Sequence, residues 1–391
     1  MKKKLALGIF SFLASLIVLD SLLYKLVPKP CLTVESDQLV HHRLIPNKKC
    51  QVKNDEFDVE YRNNSLGLRD VEFPEKRPVG EKRVLFLGDS FTEGSGVRLE
   101  DTMVKQAEEL LQKKFNEQGT RTINAGVSAY SPLLESLYLQ NRGIALAPNI
   151  VVVNLFMNDF NDDRSYLQKA HYTSDGQVSG VYVELKQHLP TWLIHYLDGR
   201  SFLYYVFKQQ ERALWKLKGK VVAWLRHEAP PDYTKSGVEF VPGDPDGDPF
   251  AITRDISPES FQELFEPTSM ILLQMKKFLD EQRIPMVVIV IPAGHQVGQS
   301  QWTSGRLTMH LSEDSFPSKI FEELSRFSKE SSVFLLDLTP GLREFLKNQP
   351  NAKLYYDSDG HFSPLGQRIA AELFVEFISQ RPELANRLKP N

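Results

Sequence analysis

The stretch that decides the fold is LFLGDSFTEGSG, residues 85–96. The residues before Gly-Asp-Ser, 83–87, form a short apolar run of the kind found in buried parallel strands. Gly-Asp-Ser follows at once, which places Ser90 at the carboxyl end of the predicted strand. Open α/β sheets bind their ligands at the carboxyl ends of strands, so Ser90 is the first candidate functional residue.

The rest of the chain continues as strands alternating with helices. Predicted strands are residues 83–87, 121–124, 149–156, 286–291 and 333–336, and predicted helices are residues 101–115, 131–141, 258–282, 317–329 and 363–378. This alternation predicts an α/β fold with a parallel, doubly wound sheet, and five strands is the expected count.

Length and charge limit the class of protein. The chain has 391 residues, which suits one main α/β domain, residues 81–391, with an N-terminal extension. Its net charge is -3 at pH 7. No global basic field results, so nucleic acid is not an expected partner.

The N-terminus differs from this ordinary composition. Three lysines precede residues 5–27, whose uninterrupted apolar or small part ends at Leu19. We expect residues 1–27 to be an uncleaved membrane anchor rather than a cleaved signal segment, because no convincing cleavage site follows; a buried soluble helix ranks third. The lysines favour a cytoplasmic N-terminus and an extracytoplasmic main domain, periplasmic in a Gram-negative bacterium, although Lys25 and Lys29 weaken this orientation.

The polar residues 28–80 are predicted to be an extracytoplasmic spacer and lead-in strand. They contain the only two cysteines, Cys31 and Cys50. In an exported segment these form a disulfide that closes a short loop, and the alternative is two free thiols. Their spacing is not that of a metal site.

An insertion at residues 164–257 interrupts the strand and helix alternation. Its apolar and basic stretch, residues 192–227, is predicted to be helical. It either lies as a basic amphipathic surface on the membrane or, as we favour, caps the sheet and buries its apolar face. GDPDGDP, residues 243–249, is predicted to be an acidic turn, because Pro245 and Gly247 break the calcium-loop pattern.

Residues that could take part in catalysis follow four of the predicted strands, and Ser90 after the first strand is one of them. A nucleophilic serine needs a base for its proton and donors for the oxyanion. Gly126 follows the second strand and Asn158 the third, and His361 with Asp359 follows the last. Gly126 alone could be only a tight turn and Asn158 a helix cap, and a lone histidine is more often a surface or satisfied core residue. Their occurrence at the ends of different parallel strands favours one shared site.

Four blocks carry a resemblance to a known family: FLGDSFTEG, NAGVSAYSP, NDFND and DGHFSPLG. Over about residues 80–155 and 285–378 the chain resembles the SGNH hydrolases, also called the GDSL esterase/lipase family. The resemblance implies a flavodoxin-like three-layer α/β/α fold and acyl-ester chemistry that needs no metal or cofactor. The residue roles it implies are Ser90 as nucleophile, His361 as general base, Asp359 as orienting acid, and Ser90 N–H, Gly126 and Asn158 as oxyanion hole.

The chain departs from the family pattern at three points. Phe91 replaces the usual leucine, and Phe156 stands where the third block usually has glycine. The acid precedes the histidine by two residues rather than three, which leaves Asp357 as an alternative acid. A different hydrolase signature, the G-x-S-x-G elbow, is excluded because Thr92 occupies its second glycine position.

Three functions are consistent with these residues. The first is a serine esterase that acts on an acyl ester of a glycan or lipid, with the membrane contacted through the N-terminal helix. The second is an O-acyltransferase on a cell-envelope polysaccharide, because hydrolysis and transfer use the same residues. The third is a catalytically weak family member that binds a glycan or an envelope partner, and Phe156 keeps this alternative open.

Overall fold

The computed structural model describes residues 15–23, 31, 33–115, 119–182, 242–245, 248–311 and 319–389. Contacts divide the chain into two units, Met1–Pro30 with Glu184–Glu239 and Cys31–Val183 with Phe240–Asn391. The sheet and the candidate site lie in the second unit.

Part of the N-terminal segment belongs to the described chain. Residues 15–23 form a helix. No helix among the described residues has the length and apolar character needed to cross a membrane. Residues 1–14 and 24–30 lie outside the described ranges, so the anchor or signal segment over residues 1–27 stays a prediction. The predicted helical stretch 192–227 also lies outside them.

The second unit contains a central sheet and three hairpins. The strands are β1 (Val34–Asp37), β2 (His41–Leu44), β3 (Lys49–Lys53), β4 (Asp58–Arg62), β5 (Lys82–Gly88), β6 (Thr120–Gly126), β7 (Ile150–Phe156), β8 (Ala170–Tyr172), β9 (Val178–Val181), β10 (Met286–Ile291) and β11 (Phe334–Asp337). The helices are α1 (Ser90–Glu93), α2 (Met103–Phe115), α3 (Pro132–Asn141), α4 (Asp159–Leu167), α5 (Pro258–Glu281), α6 (Gly294–Val297), α7 (Thr303–Thr308), α8 (Lys319–Ser331), α9 (Thr339–Asn348), α10 (Pro364–Ser379) and α11 (Pro382–Ala385).

The central sheet confirms the predicted fold class. Its five strands are all parallel and lie in the order β6-β5-β7-β10-β11. Counted along the chain this is 2-1-3-4-5, the flavodoxin-like order. Every residue of β7 and β10 is buried, which explains their continuous apolar runs. The five predicted strands agree with these elements to within a few residues.

Helices cover both faces of the sheet. Phe86 of β5 contacts Phe374 of α10, with ring centroids 5.1 Å apart, and α10 packs against α2. Leu85, its neighbour, points to the other face. A Cβ on Gly143, just after α3, would lie 3.1 Å from Leu85, and α3 packs against α4 and α5. The sheet is therefore the middle of three layers.

The strand order sets where the site can lie. β5 pairs with β6 through Gly88 opposite Gly126, and with β7 through Leu87 opposite Val153. The carboxyl ends of these three strands consequently meet at one edge. The chain order reverses between β5 and β7, and such a switch point opens a crevice at the strand ends.

Residues 33–80 differ from the predicted spacer and lead-in strand. They form the antiparallel hairpins β1–β2 and β3–β4 and then pack into the domain core through residues such as Leu68. In β4, Val59 and Tyr61 are buried while their neighbours are exposed. Arg69 is completely buried. Each strand has only four or five residues, too few for its alternation to predict this packing. The core residues against which the stretch packs also come from distant parts of the sequence.

The two cysteines form a disulfide, the first of the two predicted alternatives. Cys31 and Cys50 are bonded with their Cα atoms 5.6 Å apart, within the ordinary range for such bonds. Cys50 belongs to β3, so the bond ties the start of the second unit to the β3–β4 hairpin.

Only the flanks of the insertion are described. Hairpin β8–β9 lies at its start. Near its end, the buried Asp248 accepts hydrogen bonds from the backbone N–H of Gly243 at 2.8 Å and of Phe250 at 2.9 Å. These bonds form a turn at the place where the sequence predicts an acidic one; residues 246 and 247 lie outside the description.

We expect Cys50→Ser to lower the free energy of unfolding by about 3 kcal/mol, because a bond between residues 19 positions apart restricts the unfolded chain by that order. Urea unfolding followed by circular dichroism measures the effect. A reductant should bring the unchanged chain to the level of the variant and leave the variant unaffected. Equal stability of the two oxidised proteins would contradict this expectation.

Candidate active site

Ser90 is held at a sharp turn between β5 and α1. Gly88 has φ +153°, and a Cβ there would lie 2.1 Å from Thr92 Oγ1, so glycine is required. Asp89 caps α1 by accepting the Phe91 N–H at 2.8 Å. Ser90 is the first helical residue, and a peptide N–H at that position has no acceptor within the helix. Its side chain is partly exposed.

His361 joins this serine to an acid from the last loop. Its Nε2 lies 2.7 Å from Ser90 Oγ, and its Nδ1 lies 2.5 Å from Asp359 Oδ1. The loop closes through a hydrogen bond from Tyr356 N–H to the His361 carbonyl, 2.9 Å long, with Gly360 at φ +86°. The structure therefore brings Ser90, His361 and Asp359 together in the order that the sequence predicts.

The partners of His361 define its tautomer. An ionised carboxylate only accepts hydrogen bonds, so the proton lies on Nδ1 and is donated to Asp359. Nε2 is then the acceptor for the Ser90 hydroxyl. Burial raises the pKa of Asp359, but the hydrogen bond and charge of His361 outweigh it, and the pKa is lowered overall. Asp359 is thus held in its ionised form beside the ring.

The alternative acid, Asp357, is bonded elsewhere. Its carboxylate accepts the Thr303 N–H at 3.1 Å, the Thr303 hydroxyl, and the Ser304 hydroxyl at 2.7 Å. These bonds at the start of α7 lower the pKa of Asp357. The structure places Asp359, not Asp357, on His361.

The two phenylalanines Phe91 and Phe156 pack on each other, and Phe91 also contacts His361. Phe91 lies with its ring centroid 5.0 Å from His361 and 4.2 Å from Phe156. Phe156 also contacts Phe250, at 6.1 Å. Phe156 is 7% exposed, so it fills space between Phe91 and Phe250 that a glycine would leave open.

The structure does not leave Gly126 as a donor for an oxyanion. Its N–H donates to Asn124 Oδ1 at 3.0 Å. A Cβ on Gly126 would lie 2.3 Å from the backbone nitrogen of Glu93. The glycine is needed for the close approach of α1 to β6, which is a packing role that the sequence signal does not distinguish from catalysis.

Among the described residues, one of the two amide hydrogens of Asn158 has an acceptor. Its Nδ2 donates to Asp162 Oδ2 at 2.8 Å, and an amide nitrogen carries two hydrogens. The N–H of Ser90 and the second amide hydrogen of Asn158 are therefore the candidate oxyanion donors.

Sequence reasoning missed a group of carboxylic acids around the site. Burial raises the pKa of Asp89 to about 6. Hydrogen bonds from Phe91 and Ser90 and the charge of His361 act to lower this pKa. Burial and neighbouring carboxylates raise the pKa of Asp162 to about 7. Burial raises the pKa of Asp163 to about 6 against three hydrogen bonds. The pKa values of Glu135 and Asp159 are raised well above their usual range, first by burial and then by the neighbouring carboxylates.

Part of this group has a visible sequence signal. The run NDFNDD, residues 158–163, places several acids directly after a buried strand. Glu135 gives no such signal, because it is a single acid within an apolar helix. Among the described residues neither oxygen of Glu135 has a hydrogen-bond partner.

Among the described residues, no group of three or more His, Cys, Asp or Glu side chains is arranged to hold a metal ion.

No family model matches the chain, and no curated protein matches it. Among solved structures it is similar to a gut microbial diltiazem-metabolizing enzyme, with 13% identity, a TM-score of 0.39, and coverage of 77% of this chain and 48% of that one. It is similar to an alpha/beta hydrolase enzyme from the metagenome of Lake Arreo, Spain, with 12% identity, a TM-score of 0.39 and coverage of 76% and 94%. It is also similar to a catalytic mutant of an acetylxylan esterase from Geobacillus stearothermophilus, with 13% identity, a TM-score of 0.38 and coverage of 76% and 94%.

These similarities are too low to assign a family or an activity. The resemblance to the SGNH hydrolases consequently stays a prediction, and the chemistry of the site is argued from its own geometry.

Glu135→Gln should remove a pH-dependent loss of stability. The pKa of Glu135 is raised in the folded protein, so between about pH 4.5 and that higher pKa the folded state binds more protons than the unfolded state. The free energy of unfolding then falls by about 1.4 kcal/mol per pH unit for this one group. We expect the Glu135→Gln variant to match the unchanged chain near pH 4.5 and to be more stable at pH 8, measured by thermal unfolding.

The exposed Glu281→Gln on α5 is the matched control for this measurement. It should follow the unchanged chain at every pH. A stability difference for Glu135→Gln that stays constant between pH 4.5 and 8 would contradict the raised pKa.

Proposed function

We propose that the protein is a serine esterase of the SGNH type that acts on an acyl ester. The observation that carries the proposal is the continuous hydrogen-bond chain from Ser90 Oγ through His361 to Asp359, with distances of 2.7 and 2.5 Å. A serine, a histidine and an acid in this order form the arrangement that activates a serine nucleophile.

The first half of the reaction forms an acyl enzyme. His361 Nε2 takes the hydroxyl proton as Ser90 Oγ attacks the ester carbonyl carbon. Asp359 holds the ring and stabilises the imidazolium that results. The tetrahedral intermediate collapses when His361 gives this proton to the leaving alcohol oxygen, and the acyl group remains on Ser90.

The second half releases the acid. A water molecule gives a proton to His361 Nε2 and attacks the acyl carbon, and the proton then returns to Ser90 Oγ as the bond to the serine breaks. In both halves the carbonyl oxygen becomes negative and needs donors. Ser90 N–H and the free amide hydrogen of Asn158 supply them in this proposal, whereas Gly126 does not.

The proposed substrate is an O-acylated glycan or a lipid of the cell envelope, because we propose that the enzyme lies outside the cytoplasm. Two features support this extracytoplasmic position. The Cys31–Cys50 disulfide is typical of oxidising compartments. The helix of residues 15–23 exposes Leu16, Ile17, Val18 and Leu19 by 40 to 65%, as suits a helix that contacts lipid. We therefore propose a membrane-anchored enzyme, periplasmic in a Gram-negative bacterium.

The test compares the full chain with Ser90→Ala on p-nitrophenyl acetate. We expect a burst of p-nitrophenol followed by steady turnover, and labelling of Ser90 by a fluorophosphonate, all of which Ser90→Ala abolishes. Labelling with little turnover until a sugar alcohol is added would identify an O-acyltransferase instead. A folded protein with neither burst nor labelling would refute the proposal and favour a binding role.

The two candidate acids give opposite expectations. Asp359→Asn should lower kcat on the order of 10⁴-fold, because an amide at this place favours the wrong histidine tautomer. Asp357→Asn should leave kcat close to that of the unchanged chain, since the partners that the described structure gives its carboxylate are Thr303, Ser304 and Lys353, not His361. The same p-nitrophenyl acetate assay measures both. A larger loss in Asp357→Asn would reassign the acid.

A further inference from the structure

A carboxylate from the N-terminal stretch binds the loop that carries Asp359. Glu56 lies in the turn between β3 and β4, 303 positions away from Asp359. Its Oε1 accepts the N–H of Asp357 at 2.6 Å and of Ser358 at 3.1 Å. Its Oε2 accepts the N–H of Ser358 at 3.2 Å and of Asp359 at 2.8 Å. Three consecutive peptide N–H groups thus converge on one carboxylate, as in the backbone nests that bind anions.

The turn that carries Glu56 is itself fixed. Asn54 Oδ1 accepts the N–H of Glu56 at 2.8 Å and of Phe57 at 2.9 Å. The Phe57 ring packs on Tyr356, with centroids 5.2 Å apart. Tyr356 in turn donates its hydroxyl hydrogen to the Gly96 carbonyl at 2.8 Å. The hairpin therefore meets the loop at a defined place and orientation.

The loop belongs to no helix and to no strand of the central sheet, so contacts from other elements hold it: α7 bonds the Asp357 carboxylate and carbonyl, and Glu56 bonds the peptide N–H groups. Residues 357–359 form a turn. Tyr355 and Phe362, on either side of this turn, form an isolated antiparallel β-bridge. Asp359 donates its N–H to Glu56, and its Oδ1 accepts the hydrogen bond from His361 Nδ1. A shift of the loop backbone at Asp359 would therefore move the acid relative to the imidazole ring.

We propose that Glu56 is a positioning residue of the triad: it fixes the backbone of residues 357–359 and so sets the orientation of Asp359 toward His361. The inference rests on the proposed esterase function. Glu56 contacts neither Ser90 nor His361 in any hydrogen bond of the described structure, and its four accepted bonds occupy both oxygens. It acts through the loop, not on the substrate.

The experiment measures Glu56→Ala and Glu56→Asp in the full chain. The matched control is Glu60→Ala on the same hairpin, where the carboxylate forms an ion pair with Lys49 at 2.9 Å. Turnover of p-nitrophenyl acetate gives kcat, KM and the pH profile of kcat/KM, and thermal unfolding gives stability. Ser90→Ala is run beside them to establish that the turnover depends on the serine.

We expect Glu56→Ala to lower kcat about 10- to 100-fold, the order of loss that a displacement near 1 Å causes, with KM changed less than about twofold. The acid side of its pH profile should move to lower pH, because a displaced carboxylate stabilises the imidazolium less. Glu56→Asp should recover part of kcat, since it retains the carboxylate. Glu60→Ala should match the unchanged chain in kcat, in pH profile and in unfolding temperature, because its ion pair with Lys49 is exposed.

Three results would overturn the inference. One is a kcat for Glu56→Ala within twofold of the control. The second is a lower rate with an unmoved pH profile and a lower unfolding temperature, which indicates a loss of folded protein only. In both cases serine-dependent turnover of the unchanged chain leaves the esterase proposal standing. The third is that the unchanged chain shows no serine-dependent turnover. This result would refute the esterase proposal and this inference together.

Discussion

The close approach of α1 to the strand ends is the constraint on which the site depends. Gly88 and Gly126 have no side chain, and a Cβ on either would lie 2.1 to 2.3 Å from an atom of α1. Asn154 of β7 donates to Thr92 Oγ1 at 2.7 Å, so α1 is bonded to the neighbouring strand as well. Three parallel strands thereby fix one short helix, and the position of Ser90 follows from theirs.

The sequence predicts the parts of this arrangement that depend on local pattern. Apolar runs such as residues 150–156 are buried throughout, so strand positions and the parallel sheet could be inferred. Ser90 after β5 and Asn158 after β7 follow from the topology, whereas the unpredicted helix α9 lies between β11 and the loop of Asp359 and His361. The role of Gly126 could not be inferred in this way, because a glycine required for close packing and one required as a donor look alike. Glu56 could not be found at all, because its partners are 301 to 303 positions away.

The buried carboxylic acids affect how much negative charge surrounds the oxyanion of the proposed reaction. A charged Asp89 beside Ser90 would oppose the negative oxygen that forms on the substrate. Burial keeps its pKa near 6, and the charge of His361 acts in the other direction. The imidazolium formed during attack therefore favours the ionised form of Asp89 at the moment when the oxyanion develops. The pKa values of the neighbouring Glu135 and Asp159 are raised, and in their protonated form these carboxyl groups add no further negative charge.

The residues before the sheet bind both the loop of Ser90 and the loop of Asp359 and His361, with side chains of opposite charge. Arg69 is buried and donates to the carbonyls of Glu93 at 2.9 Å, of Gly94, and of Val97 at 2.5 Å, which lie at and beyond the end of α1. Glu56 accepts from the peptide N–H groups of the acid loop. A cation thus binds carbonyl groups on the nucleophile side, and an anion binds N–H groups on the histidine side. Since both come from one stretch of the chain, residues 33–80 form part of the framework that holds the Ser90 loop and the His361 loop.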